Sequence, residues 1–111
     1  MARRHHPAEF EEALLLALAS LNEEAKGKQI GERLEEITQR EVNIAAIHIT
    51  LSRMESKDWV QIRTSAPEPG VGGKPRKLFT LTANGAKALE AGREERARLW
   101  DAARVHHLLR G

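Results

Sequence analysis

The stretch Asn43–Thr82, NIAAIHITLSRMESKDWVQIRTSAPEPGVGGKPRKLFTLT, contains the change of rhythm that decides the fold. Up to Lys57 the apolar residues Ile44, Ile47, Leu51 and Met54 recur every three or four positions. That spacing puts them on one side of a helix of about Ile44–Lys57, and Asn43 before it suits an N-cap. The opposite side carries Ala45, Ala46, His48, Ile49, Thr50, Ser52 and Arg53, a face that is small, polar and uncluttered. Asp58 follows at the helix end, where Asn and Asp tolerate positive φ better than most residues. From Val60 the period falls to two. Val60, Ile62 and Thr64 alternate with Gln61, Arg63 and Ser65, as in a half-exposed strand. Residues 66–75 hold three prolines and three glycines and read as a loop. Arg76–Leu81 is a second strand, with Leu78 and Thr80 on one side and Phe79 and Leu81 on the other, so the loop closes a hairpin.

Upstream, Phe10, Leu14, Leu18 and Leu21 recur at helical steps, and Leu15 and Leu16 widen the stripe, which predicts a helix over about Ala8–Asn22. A short connection through Glu23–Gly27 leads to a second amphipathic helix over about Lys28–Gln39, with Ile30, Leu34 and Ile37 on its inner face. Gly31 inside it costs about 1 kcal/mol relative to Ala, a cost tolerated where another helix must come close. Downstream, Thr82 is placed to cap a long last helix over about Ala83–Leu109. The expected order is therefore helix, helix, helix, strand, strand, long helix: a mainly α winged helix-turn-helix with the hairpin as its wing. Residues 1–7 read as a flexible N-terminus, 8–82 as the winged domain and 83–111 as a C-terminal dimerisation helix.

Composition narrows the function classes. The 111 residues fit one domain. With no cysteine, disulfides, thiolate metal sites and thiol catalysis are excluded. No serine-nucleophile motif or carboxylate pair outside ordinary helix faces argues for an enzyme. Neither His5-His6 nor His106-His107 has the i, i+4 spacing of a helical metal pair, since adjacent residues point about 100° apart, so neither metal nor cofactor is expected. The apolar run Ala13–Leu21 is too short to span a membrane, which needs about 18 residues. Acidic Glu9, Glu11 and Glu12 before it speak against a signal peptide.

Net charge is only +2, but it is unevenly spread. Residues 1–41 carry six Lys/Arg against nine Asp/Glu, whereas 42–81 carry six against three. The wing tip, Gly72-Gly73-Lys74-Pro75-Arg76-Lys77, puts three cations within four residues beside glycines that allow close approach. It is not a phosphate-binding P-loop, because Glu68 stands where the first glycine would be and Pro75 follows the lysine.

These segments together resemble the PadR-like transcriptional regulators. The opening Phe10–Leu18 is similar to that family's first segment, and Glu24-Ala25-Lys26-Gly27 stands where the family often has an Ala-Tyr-Gly turn. Leu51-Ser52-Arg53-Met54-Glu55-Ser56-Lys57-Asp58-Trp59-Val60 resembles its Leu-x-Arg-Leu-Glu-x-x-Gly-Leu-Val run, and Gly72–Thr82 resembles its wing and the strand after it. The sequence departs from the pattern at His48, commonly a tyrosine that contributes to DNA contact, at Ala45-Ala46, often Gly-Thr, and at Asp58, usually glycine.

The resemblance implies a cytoplasmic repressor acting as a homodimer on double-stranded DNA, with a pseudo-palindromic operator and release by a small apolar or aromatic effector. On this reading Asn43, Ala45, Ala46, His48, Ile49 and Thr50 lie nearest the bases, with a thymine methyl as the partner of Ile49. Arg53 and the wing residues Gly72, Gly73, Lys74, Arg76 and Lys77 meet the backbone. The last helix, through Leu89, Leu99, Trp100, Ala103 and Leu108, packs against Phe10 and Leu14 of the partner's first helix, and Trp100 borders the effector. The alternative is a winged helix used for protein contact without DNA, because only one cation, Arg53, stands on the exposed part of the third helix.

Overall fold

The computed structural model describes residues 6–67, 73 and 75–110. Three helices come first: α1 (Glu9–Leu21), α2 (Gly27–Thr38) and α3 (Ile44–Ser56). A hairpin follows, β1 (Val60–Ser65) antiparallel to β2 (Arg76–Leu81), with Val60 opposite Leu81 and Ser65 opposite Arg76. Then comes α4 (Ala83–Ala103), and a short α5 (Val105–Arg110) ends the chain. This is the winged helix-turn-helix expected from the sequence.

Leu14, Leu15 and Leu18 of α1, Ile30 and Leu34 of α2, and Ile47, Leu51 and Met54 of α3 meet in one buried core. Trp59, Val60 and Phe79 close it from the hairpin side. Full burial of one such side chain stabilises by roughly 1.5–3 kcal/mol, so the stripes read from the sequence supply the main driving force. At Gly31 a Cβ would lie 2.6 Å from the Ile47 Cδ1, so the missing side chain lets α2 and α3 touch. The chain between α1 and α2 also joins the sheet. Ala25 N–H donates to the Phe79 carbonyl at 3.0 Å and Phe79 N–H to the Ala25 carbonyl at 2.8 Å. One edge of the hairpin is thereby paired, which the sequence did not signal.

The end of α3 is built around Asp58, which takes the left-handed conformation expected of it, φ 62. Asp58 N–H donates to the Glu55 carbonyl and Trp59 N–H to that of Met54. The Thr82 hydroxyl donates to the Asp58 carbonyl at 2.6 Å and accepts from Gly85 N–H at 2.9 Å, capping α4 as expected. Asn84 adds a bond from its amide to the Asp58 carboxylate at 2.5 Å.

The structure corrects several expectations. Ile37 shares the azimuth of Ile30 and Leu34 but is 56% exposed, because the last turn of α2 runs past the core. Ile44 is exposed for the matching reason at the start of α3, where burial begins with Ile47. Thr50, assigned to the outer face, is buried: it stands three residues after Ile47 and four before Met54, on their side of the helix. Leu14, assigned to a dimer contact, is wholly inside its own protomer's core. The long last helix is not continuous. Arg104 adopts a left-handed backbone, φ 53, its N–H donating to the Trp100 carbonyl, and α5 starts anew at Val105. Neither glycine nor proline marks that break. Of the N-terminus expected to be flexible, residues 1–5 lie outside the described residues, whereas Pro7 is buried and His6 faces the Glu95 carboxylate of α4.

A buried acid joins the first and third helices. Glu11 accepts from Ala8 N–H at 2.8 Å, closing the first turn of α1, and pairs with Lys57 Nζ at 2.7 Å. That ammonium lies 4.7 Å from the Trp59 ring centroid, a cation–π contact.

The tightest joint makes a test. A Cβ at Gly85 would fall 2.3 Å from the Trp59 carbonyl oxygen, which is backbone and cannot swing away. Gly85→Ala should therefore cost roughly 1–3 kcal/mol, as overpacking does. A denaturant midpoint equal to that of the parent would contradict this account of the joint.

Candidate nucleic-acid interface

The outer side of α3 is positioned by what its inner side buries. With Ile47, Thr50, Leu51 and Met54 turned inward, Ala45, His48, Ile49, Ser52 and Arg53 stand exposed in sequence along the opposite side, and Ala46 is half-buried. Ile49 is 55% exposed, an apolar side chain with no cover from its own protomer. Asn43 holds the start of the helix: its Oδ1 accepts from Ala45 N–H at 2.8 Å and Ala46 N–H at 3.2 Å. Its side-chain oxygen is thus committed to the cap, and its amide group is what remains to face outward.

His48 differs from its neighbours. Its ring rests on Gly27, the first residue of α2, where an added Cβ would lie 2.7 Å from the ring, and it is tilted 52° to Phe79 at 6.3 Å between centroids. The start of α2 therefore joins this face, and Lys26 and Lys28 flank the ring in sequence. Four backbone N–H groups lack intrahelical partners at such a terminus, which suits an anion. Sequence reasoning missed these two lysines. The signal was Lys-Gly-Lys before a helix, three residues on from a stretch that had been read only as a connection.

In the wing, Gly73 and Pro75 are exposed, Lys77 is exposed on β2 and Arg76 is half-buried; Gly72 and Lys74 lie outside the described residues. Arg63 of β1 is exposed but occupied. It forks onto Glu24 before α2, Nε at 3.1 Å and Nη2 at 2.5 Å from the two carboxylate oxygens. The hydrogen bond from Arg63, more than its charge and against slight desolvation, holds the Glu24 carboxyl below its ordinary value. The same bond raises Arg63.

The other assigned residues sit away from this face. Leu89 is half-buried against its own core, and Phe10 is 37% exposed at the start of α1. Leu99, Trp100 and Leu108 are 63%, 55% and 82% exposed on the terminal helices, and Ala103 is exposed among them. Trp100 has the His106 ring beside it, 6.5 Å between centroids, and stands on an open helix side rather than in a cavity of the protomer. Among the described residues no cluster of His, Asp and Glu is placed to hold a metal, and no helix is long and apolar enough to cross a membrane.

Three helices and a hairpin in this arrangement define a winged-helix regulator. Residues 15–91 match the model of the transcriptional regulator PadR-like family, and the chain belongs to that family. Solved structures agree on the fold. A PadR-like transcriptional regulator from Bacillus cereus superposes with a TM-score of 0.67 at 22% identity over 92% of each chain. A PadR-like transcription factor from Bacteroides fragilis gives 0.68 at 24% identity, over 89% of this chain and 88% of its own. Bacillus subtilis PadR, solved in complex with operator DNA, gives 0.64 at 22% identity over 76% of this chain and 46% of its own. Among curated proteins nothing matches.

Two measurements probe the geometry of this face. Asn43→Ala should lower stability by about 1 kcal/mol, with most of it recovered in Asn43→Asp, because either side-chain oxygen caps the helix; equal midpoints for all three proteins would remove the cap from the account. Glu24 binds its proton less readily when folded than when unfolded, so its contribution is present above the ordinary glutamate value and fades as pH falls through the lowered one. Glu24→Gln should accordingly lose stability less steeply on acidification than the parent, a small difference since both partners are exposed. Parallel acid limbs in the two unfolding curves would count against the pair.

Proposed function

We propose that this chain is a sequence-specific double-stranded DNA-binding repressor acting in the cytoplasm as a homodimer on a pseudo-palindromic operator. The observation that carries the reading is the face just described: an α3 surface of small side chains beside a basic hairpin strand, with the α2 terminus at its edge. A major groove admits an α-helix, and small residues permit close approach to base edges. Ala45, His48 and Ile49 read the bases, Ile49 against a thymine methyl. Arg53, Lys77 and Arg76 follow the phosphates, helped by Gly73 and by Gly72 and Lys74 beside it in sequence. Lys26 and Lys28 add a second phosphate contact. Thr50 acts from behind, as part of the packing that aims the helix. The operator complex of Bacillus subtilis PadR, similar in fold, supports the choice of DNA as partner.

Dimerisation runs through the terminal helix. Leu99, Trp100 and Ala103 are uncovered in the single protomer, and one winged module makes few contacts without a second half-site. Phe10 contributes from the other chain; Leu14 does not. A small apolar or aromatic effector would lodge beside Trp100 once a partner walls that side.

The second reading, a protein-contact module, is favoured by the electrostatics of the outer α3 face, where Arg53 is the single cation. Salt separates the two. A dimer neutralising roughly 6–10 phosphates loses affinity steeply as salt rises. Titration with DNA from upstream of the gene, beside a scrambled duplex, should show selective binding of this kind. Lys77→Ala should weaken both duplexes about equally and flatten the salt slope by about 1 per chain, whereas Ile49→Ser should erode the preference between them. Failure to bind either duplex at low salt would establish the protein-contact reading instead.

A further inference from the structure

The terminal helices leave their own domain. α4 runs antiparallel to α1: Arg96 pairs with Glu12 at 2.5 Å, and Leu89 and Leu16 line one cleft between the two helices. Past Arg96 the helix continues beyond the start of α1, and the molecule is drawn out to 62 Å along one axis against 32 and 24 Å along the others. After the left-handed residue Arg104, α5 presents Leu108 and Leu109, 82% and 76% exposed.

At the same end of α1, on an adjacent side of that helix, lies an open groove of about 440 Å³ between α1, α2 and the start of α3. Phe10, Ala13, Leu34 and Val42 give it apolar walls, and Glu9, Arg40 and Glu41 stand at its margin. Its far wall is formed by Asn43 and Ala46, the cap and first turn of the outward-facing helix.

We propose that α5 of one protomer docks into this groove on a second copy, so that each chain's C-terminal leucines brace the start of its partner's α3. The proposal rests on the homodimer reading above and adds a contact outside the α4 interface. Charge selects the occupant. From Ala102 to Arg110 the chain has no acidic residue and carries Arg104, His106, His107 and Arg110, while the groove margin offers Glu9 and Glu41 against Arg40. The exposure of Leu108 and Leu109 shows that the segment does not occupy its own protomer's groove. The tip projects from the end of α1 that bears the groove, so a two-fold axis there makes the contact twice, each tip in the other's groove.

The chain has no cysteine, so an introduced pair forms the sole disulfide. Full-length Leu108→Cys chains mixed with full-length Glu41→Cys chains and mildly oxidised should give a covalent heterodimer on a non-reducing gel. Disulfide geometry demands Cα atoms within about 7 Å. A Gln61→Cys chain, cysteine on the exposed side of β1, serves as the background partner. Alongside, Leu108→Ser/Leu109→Ser should self-associate about tenfold more weakly or worse in sedimentation, as loss of a central apolar anchor does, with unchanged helix content because both side chains are exposed in the protomer. Cross-linking no better than with Gln61→Cys, in a parent that still sediments as a dimer, would overturn the α5 contact and leave the homodimer standing. A parent chain that sediments as a monomer would overturn both.

Discussion

Asp58 carries the backbone through a left-handed conformation, and the next two bonds decide how three elements meet. Trp59 N–H returns to α3, the Asp58 carbonyl takes the Thr82 hydroxyl, and the Trp59 carbonyl takes Thr82 N–H at 3.1 Å. The outward-facing helix, the wing and the root of α4 are thus fixed to one another through two residues. Gly85 is packed so tightly beneath the Trp59 carbonyl that no side chain fits there. Around the joint, Lys57 spans the Trp59 ring and the buried Glu11, which ties the same corner to the first turn of α1. If this corner shifted, the face of α3 would turn relative to the wing, and the terminal helix would leave the domain at another angle.

The electrostatics are economical in the same way. Cations near the outer face are either held or exposed, and the distinction follows from their neighbours rather than their number. Arg63 lies in the middle of β1, yet its fork is taken by Glu24, so it fastens the wing to the chain before α2. Lys77, on the paired strand, is exposed. A count of basic residues in the hairpin treats the two alike; the geometry gives one a structural duty and leaves the other facing outward.

Elements were legible wherever the apolar period was strong. The stripes of α1 and α3, the alternation in β1, the Asn43 and Thr82 caps and the positive φ at Asp58 all follow from local chemistry that a sequence displays. Burial at the ends of elements was not legible. Ile37 and Ile44 have the right azimuth but no neighbour, and Thr50 has a polar side chain but the azimuth of the core. Whether a position is covered depends on how far the facing helix extends, which is a tertiary quantity. The bridge from Ala25 to Phe79 was hidden for the same reason, since a single residue pair has no period. The break at Arg104 left no trace, because arginine is a good helix former and nothing before Val105 marks a stop. Of the outward-facing site, the α3 residues other than Thr50 were found by helical spacing. The lysines beside Gly27 belong to the site only because His48 reaches across to them.

The seating of His48 on Gly27 has a bearing on how such proteins diverge. Most outward positions of α3 carry no packing duty, so Ala45, Ile49, Ser52 and Arg53 are free to drift, altering what the surface recognises while the scaffold persists. Position 48 is not free in that sense. Its ring fills the space that a side chain at position 27 would need, so any change that enlarges residue 27 displaces the ring, and one that shrinks residue 48 opens a gap over the start of α2. The two positions should change together across descendants of this chain, one lineage keeping glycine beneath a broad ring and another pairing a larger residue with a smaller one.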